Sequence, residues 1–330
     1  MKLIIYTLLI LFGFKNLTAN VKERLNENQR ITDYSNSIKE LYRISKNEKI
    51  KDITELVFSH PATTENVKKT ILAHQRRIFL FQYPSDGLKI KGFISLTPRS
   101  ADQPLLVLFR TGNRDFGLLD PGHEWTVHGN YTVISSTLRG GVSEGMDEFG
   151  GADVDDVKNL IDFVPTLETW LGRPIQKESL FFLGPSRGGM EMFLTLARYP
   201  ELQNKVKKVV ALSSILDLDK QIKDRPEDMK KMFISDFGLR VGVNEKSWIA
   251  SRNPLLTVPL LKPCLPILII QGTADNRVNL AEGKRMLKEL KLHGNNVAYW
   301  EIAGGQHTLY NVPSFMNQIA RWLEAPSPTC

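Results

Sequence analysis

The chain has 330 residues, 42% of them hydrophobic and 24% charged, and a formal net charge of +7. Such a length buries a core with ease and fits one large globular domain, alone or with an extension. The basic excess does not point to nucleic acid as a partner: clusters such as Lys205-Val206-Lys207-Lys208 and Lys230-Lys231 lack interleaved aromatics and have acids nearby, the pattern of a solvated face.

Residues 1–19 form a separate unit, with Lys2 ahead of an apolar run from Leu3 to Phe14 and a polar exit ending Leu17-Thr18-Ala19. A short apolar core behind one basic residue predicts a signal peptide and an exported protein, periplasmic or secreted, with no membrane span after cleavage. Leu17 is larger than a cleavage box prefers, so anchoring through residues 3–14 is the alternative. The two cysteines, Cys264 and Cys330, sit in no metal-ligand spacing; export would allow them to pair, but nothing in the sequence places them together.

Residues 20–76 read as a helical extension, with apolar positions at helical spacing in Leu25, Ile31, Ile38 and Leu41 and again in Val67 and Ile71. At Arg77 the period changes to two. Ile78 to Tyr83 and Leu88 to Leu96 flank Ser85-Asp86-Gly87, which predicts an antiparallel hairpin. Beyond Pro104 apolar strands alternate with helices, the pattern of a mainly parallel sheet covered on both faces. Strands are expected at Leu105 to Phe109, Tyr131 to Ser135, Leu180 to Leu183, Val206 to Leu212, Leu265 to Gln271 and Val297 to Ile302. Helices are expected at Ala152 to Leu171, kinked or interrupted at Pro165, and at Arg187 to Arg198, Leu280 to Leu292 and Pro313 to Leu323. Residues 215–259 break the rhythm with a polar, helical stretch carrying Met229, Phe233, Phe237 and Trp248, which reads as a small cap inserted over the site.

One apolar run, Phe181-Phe182-Leu183, ends in Gly184-Pro185-Ser186-Arg187-Gly188 and continues as a helix. This is nucleophile-elbow geometry: glycines two residues before and after the serine let strand and helix pass, and the following helix directs its amides at a developing negative charge. Gly and Ser are common, so the motif needs neighbours. In doubly wound sheets the chemistry sits just past the carboxyl ends of strands. Asp275 follows the strand ending at Gln271, and His307 follows the strand ending at Ile302. The order Ser186, Asp275, His307 is the one expected of this sheet type. A serine hydroxyl needs an imidazole to take its proton during attack, and a buried carboxylate holds that ring in the right tautomer.

These features together make the chain similar to the α/β-hydrolase superfamily and, within it, to the catalytic domain of the prolyl oligopeptidase family of serine peptidases. The resemblance runs from about Arg77 to Leu323. It is carried by the Ser85 to Gly92 hairpin, by Leu138-Arg139-Gly140-Gly141 with Gly145, by Phe149-Gly150-Gly151 ahead of Asp155-Asp156-Val157, by Ser251-Arg252-Asn253-Pro254, and by the Asp275 and His307 loops. It implies an α/β-hydrolase fold over residues 77–330, a Ser186, Asp275, His307 triad, and the Arg187 amide as one oxyanion donor. Where family members carry an aromatic or His followed by Gly-Gly, this chain reads Phe109-Arg110-Thr111-Gly112-Asn113-Arg114. Four readings stand: a backbone amide of Thr111, Gly112 or Asn113 is the second donor, Arg110 supplies it, Arg110 and Arg114 bind an anionic part of the substrate, or the arginines pair with acids. Arg139 reads as a structural ion-pair residue.

No metal or other cofactor is expected. His123-Glu124 with His128 nearly resembles a zinc helix, but histidines five apart do not share a helical face and Pro121-Gly122 argues for a loop. The expected protein is an exported serine hydrolase working through an acyl-enzyme on small peptides or acylated compounds. The alternatives are a carboxylesterase with the same triad and a non-catalytic binding protein that keeps the fold. The large propeller of the oligopeptidases has no counterpart in this sequence, which weighs against size-gated oligopeptide hydrolysis.

Overall fold

The computed structural model describes residues 24–312 and 315–326. The expected signal peptide, and most of the last few residues including Cys330, lie outside them. Cys264 is disulfide-bonded. Among the described residues no helix is long and apolar enough to cross a membrane.

In chain order the elements are a helix α1 at 24–38, strand β1 (Ile50–Asp52), helices α2 (Thr54–Ser59) and α3 (Glu65–Ala73), and strands β2 (Arg77–Ser85), β3 (Leu88–Leu96), β4 (Pro104–Leu108) and β5 (Thr132–Ser136). They continue through α4 (Asp153–Leu171), β6 (Gln176–Pro185), α5 (Arg187–Arg198), β7 (Val206–Leu212), α6 (Leu218–Asp224), α7 (Lys231–Asp236) and α8 (Glu245–Ala250). Last come β8 (Ile267–Gly272), α9 (Leu280–Leu292), β9 (Val297–Ile302) and α10 (Phe315–Glu324). The nine strands form one sheet in the order β1-β2-β3-β5-β4-β6-β7-β8-β9. From β5 to β9 all neighbours are parallel, while β1, β2 and β3 join antiparallel. This is the α/β-hydrolase fold.

The sheet is covered on both faces, and the sequence shows why. Successive residues of the central strands go to opposite cores: Leu105 and Val107, Val209 and Ala211, Ile267 and Ile269 pack on one face with Leu160 of α4, Phe193 of α5 and Met286 of α9. Leu106 and Leu108, Val210 and Leu212, Leu268 and Ile270 pack on the other with Ile38 of α1, Val67 of α3 and Ile319 of α10. A parallel strand buried on both sides needs an unbroken apolar run rather than alternation.

Two expectations are corrected. The N-terminal extension is not purely helical, because Ile50–Asp52 adds a strand to β2; three residues are too few to show a period. Helix α4 is uninterrupted at Pro165 and ends at Gly172, whose φ of 63° is the left-handed conformation of a helix C-cap. The hairpin turn forms as read, with Asp86 and Gly87 both at positive φ.

Arg139 ties this hairpin to α4. Its Nε and Nη2 donate to Asp156 at 3.2 and 2.8 Å, and Nη2 also reaches Asp86 at 2.6 Å. Burial pushes the Asp156 carboxyl up, and the adjacent Arg139 only partly offsets this. Removing the guanidinium leaves a buried carboxylate without its counter-charge, which costs about 3–5 kcal/mol. Arg139→Gln is therefore expected to lower the unfolding free energy extrapolated from urea titration by that amount, seen as a lower midpoint with little change in slope by tryptophan fluorescence.

Candidate active site

Ser186 sits between β6 and α5 with φ 54° and ψ −124°, a conformation few non-glycine residues adopt. The surroundings hold it there. Its N–H donates to the Leu212 carbonyl of β7 at 2.9 Å, and its carbonyl accepts from Gly189 and Ile215, each at 3.2 Å. Strand and helix are so close that a Cβ on Gly184 would lie 2.6 Å from the Gly188 carbonyl oxygen, and one on Gly188 would lie 2.9 Å from the Phe109 and Arg110 carbonyls. The glycines of the motif are thus required by contact.

The loops after β8 and β9 are tied to each other: Thr273 N–H donates to Ile302 and Ala274 N–H to Gly305, both at 2.9 Å. This brings Asp275 and His307 together although 32 residues separate them. His307 Nε2 lies 3.0 Å from Ser186 Oγ, and Nδ1 lies 2.9 Å from Asp275 Oδ2. The second oxygen, Oδ1, accepts from the amides of Arg277 at 2.8 Å and Val278 at 3.0 Å. Burial pushes the Asp275 carboxyl up, but His307 and these two amides outweigh it and hold the group below its ordinary value. An ionised carboxylate, an imidazole and a hydroxyl in one hydrogen-bonded chain can activate the hydroxyl as a nucleophile.

The wall across from the elbow resolves the arginine question. Arg110 is 2% exposed. Its guanidinium donates to the carbonyls of Thr111 at 2.9 Å, Arg114 at 2.6 Å, Phe116 at 3.0 Å and Thr137 at 2.9 Å. It lines no part of the cavity at Ser186. Burial, and next the charge of Arg187, push it down to about 10, which leaves it charged at neutral pH. Arg110 is therefore neither an oxyanion donor nor a substrate ligand, and it forms no ion pair among the described residues. It is the internal scaffold of its own loop, because five N–H groups taken out of water must find acceptors. Arg114 turns outward, 3.7 Å from Asp236 of α7 and over the Phe237 ring, so it too is corrected from a substrate ligand to a partner of an acid.

Among the proposed oxyanion amides, Asn113 is also corrected, since its N–H is taken by the Phe116 carbonyl at 3.0 Å. Thr111 and Gly112 line the cavity with Ser186. The Thr111 carbonyl is clamped by Arg110, so in a trans peptide the Gly112 N–H points the other way. The amide of Arg187 is the first of α5 and has no partner inside the helix. Its side chain points away into a buried cluster, bonded to Asp147 at 2.7 Å, to Glu191 at 2.8 Å, to Asp153, and to the Gly112 carbonyl at 3.0 Å. Burial alone would lower the guanidinium, but the three carboxyl groups hold it firmly charged. One side chain so joins the elbow to the opposite loop.

In front of Ser186 and His307 lies a cavity of about 750 Å³. Its walls come from α1 (Arg30, Ile31, Tyr34), from the loop after β4 (Leu118, Asp120, Trp125) and from the residues around His307. The helical insertion at 215–259 is present as α6, α7 and α8 and packs through Phe233, Phe237 and Trp248 onto Phe149 and Met190. It borders the site where Asn113 Nδ2 meets Met232 Sδ at 3.1 Å, yet the cavity takes no lining from it. Helix α1 provides the cover instead, fixed by Glu27 to Arg277 at 3.0 Å and by Ser35 Oγ to the Gly117 amide at 3.1 Å. Its residues carried no chemical motif and read only as an amphipathic helix. No group of His, Cys, Asp and Glu suited to a metal ion occurs among the described residues.

A strained elbow serine joined to a histidine and a buried aspartate on the following strand loops, in a doubly wound sheet, defines a serine hydrolase of the α/β-hydrolase fold. The chain belongs to the prolyl oligopeptidase family, whose profile matches residues 131–325. It is 22% identical over 257 residues to the "Uncharacterized peptidase YtmA" of Bacillus subtilis (strain 168), an alignment covering 75% of this chain and 93% of that protein. Among solved structures it is similar to the acylaminoacyl peptidase of Pyrococcus horikoshii, with a TM-score of 0.60 at 18% identity over 76% of this chain and 42% of that one. The cell wall degrading esterase LipA of Xanthomonas oryzae is similar at a TM-score of 0.57 and 14% identity, over 74% of this chain and 88% of that one. The chain thus spans most of LipA and of the Bacillus relative, but less than half of the Pyrococcus peptidase.

Two expected outcomes follow from the site's electrostatics. Arg110→Met orphans the carbonyls that Arg110 holds and is expected to cost about 3 kcal/mol or more, while Arg110→Lys, with three donors, recovers part; hydrogen exchange across residues 111–117 measures both. Because the Asp275 carboxyl is lowered on folding, its contribution is present above the unfolded carboxylate value and is lost as pH falls through the folded one. Stability followed from about pH 5 to pH 2 is expected to fall less steeply in Asp275→Asn than in wild type.

Proposed function

We propose that the protein is an exported hydrolase that acts through an acyl-enzyme on small peptides or acylated compounds. The observation that carries this reading is the continuous hydrogen-bonded chain from Ser186 Oγ through His307, both on the cavity wall, to the buried Asp275. In the proposed mechanism Ser186 attacks the substrate carbonyl, and His307 takes the hydroxyl proton and returns it to the leaving group. Asp275 keeps the ring in the tautomer with Nδ1 protonated and stabilises the imidazolium. The amides of Arg187 and Gly112 receive the oxyanion, which needs donors fixed before charge develops. Water then repeats the sequence to release the acid.

Small substrates are favoured because α1 covers the cavity in front of Ser186. Export rests on the composition of residues 1–19. Peptidase action is preferred because the chain belongs to the prolyl oligopeptidase family, and esterase action is the second reading, supported by a cavity that holds Ser186 but is lined largely by apolar residues such as Leu118, Trp125 and Phe315.

A fluorophosphonate probe is expected to label wild type and not Ser186→Ala. Asp275→Asn is expected to lower kcat on the order of 10⁴-fold. Turnover of a short peptide anilide beside a short-chain aryl ester separates the two readings: activity on the ester alone removes peptidase action. A folded wild type that the probe does not label would favour a binding protein that has kept only the fold.

A further inference from the structure

The cavity that holds Ser186 also contains a buried carboxylate that forms no ion pair among the described residues. Asp120 is 3% exposed and lines that cavity. Its Oδ2 accepts from Tyr34 Oη at 2.6 Å and its Oδ1 from the Gly122 amide at 2.7 Å. Both donors are neutral, and among the described residues no Lys, Arg or His forms an ion pair with it; the nearby His123 imidazole on the cavity wall feels the Asp120 charge, but burial outweighs it and holds that ring below its ordinary value. Several other buried carboxylates face a cation, although Glu282, which among the described residues accepts only from the Leu216 and Asp217 amides, does not. Asp147 and Asp153 face Arg187, Asp156 faces Arg139, and Glu27, also on the cavity wall, is neutralised by Arg277. Burial and the adjacent Asp120 push the Tyr34 phenol well up, so it stays a donor to the carboxylate.

We propose that Asp120, oriented by Tyr34 and the Gly122 amide, is a subsite for a positively charged amine of the substrate. The proposal rests on the reading of Ser186 as nucleophile and names the substrate class of that same site. Two hydrogen bonds fix the carboxylate but supply no opposite charge. Leu118, Leu119 and Trp125 line the same cavity, and such apolar walls lower the local polarity and strengthen the attraction for a cation that enters. Each oxygen has accepted one hydrogen bond and keeps a further lone pair, which suits the compact ammonium with its several donors. A metal ion would need further ligands, and no such cluster exists among the described residues. An anionic group placed against Asp120 is repelled, although Arg30 and the Glu27-paired Arg277 also line the cavity. Because Tyr34 comes from α1 and Asp120 from the loop after β4, the subsite exists only where the N-terminal helix docks on the hydrolase domain.

The ammonium can be an α-amino group or a side-chain amine, and three aryl esters on one dipeptide frame distinguish them: a free amino terminus, its N-acetyl form, and the N-acetyl form with a lysine side chain. Wild-type full-length protein is expected to hydrolyse an ammonium-bearing ester with a kcat/KM at least tenfold above that of the neutral ester. Preference for the free terminus alone assigns an α-ammonium, and preference for the lysine ester alone assigns a side-chain amine. Asp120→Asn is expected to bring the charged-to-neutral ratio close to one, chiefly by raising KM for the charged ester. A measurement on wild type alone guards against misfolding of that variant: butylammonium is expected to slow fluorophosphonate labelling of Ser186 and 1-butanol to leave it unchanged. Equal turnover of charged and neutral esters by protein that is labelled at Ser186, or an unaltered ratio in folded Asp120→Asn, overturns the subsite and leaves the nucleophile standing. Absence of labelling removes the nucleophile and the subsite with it.

Discussion

The backbone of Ser186 is the constraint from which the rest of the site follows. A serine at φ 54° is unfavourable on its own, and it persists because β7 holds its N–H, the first turn of α5 holds its carbonyl, and the glycines around it leave no room for relaxation. The same turn points the side chain out of the sheet toward His307 and turns the first amides of α5 in the direction where an oxyanion would form. Local strain is thus converted into a placed nucleophile, and it is sustained by the packing of β6 against β4 and β7 on either side.

Two buried arginines support that elbow in different ways. Arg187 is balanced by carboxyl groups and so behaves as a charged clasp from α5 to the Gly112 carbonyl. Burial, and then Asp153, push Glu191 in this cluster well above the ordinary carboxyl range despite Arg187. Arg110 has no carboxylate partner among the described residues and is held by backbone carbonyls, which makes it the frame of a loop with little regular structure of its own. The Gly112 peptide is gripped from both sides: Arg110 holds the carbonyl before it and Arg187 the carbonyl after it. Donors placed without freedom to reorganise are what electrostatic stabilisation of a developing charge requires.

The N-terminal segment changes from an appendage to part of the site. Helix α1 buries Ile38 in the second core and presents Tyr34 and Arg30 to the cavity, while β1 extends the sheet at its edge. The insertion after β7 buttresses the elbow helix from the side. A helix of the amino-terminal region covers the cavity in front of Ser186 and places the hydrogen-bonded Tyr34 and Asp120 pair on its wall.

Much of this was legible in the residues. The unbroken apolar runs require a sheet buried on both faces, the change of period at Arg77 marks the hairpin, and the serine, aspartate and histidine stand just past strand ends in the order that this topology demands. Those features are local, set by periodicity and by the steric needs of glycine, so a sequence determines them by itself. The tertiary structure alone decided which way the arginines of the loop after β4 face, which of its amides are spent on internal bonds, and which helix covers the cavity. Each depends on groups distant in the chain competing for the same buried donors and acceptors: Arg110 with the Thr137 carbonyl, Arg187 with Asp147 and Asp153, and Tyr34 with Asp120. No spacing in the sequence encodes the outcome of that competition. The elbow was readable because its constraint is contained in five consecutive residues, from Gly184 to Gly188, and the wall that faces it was not because its constraint is spread over the whole fold.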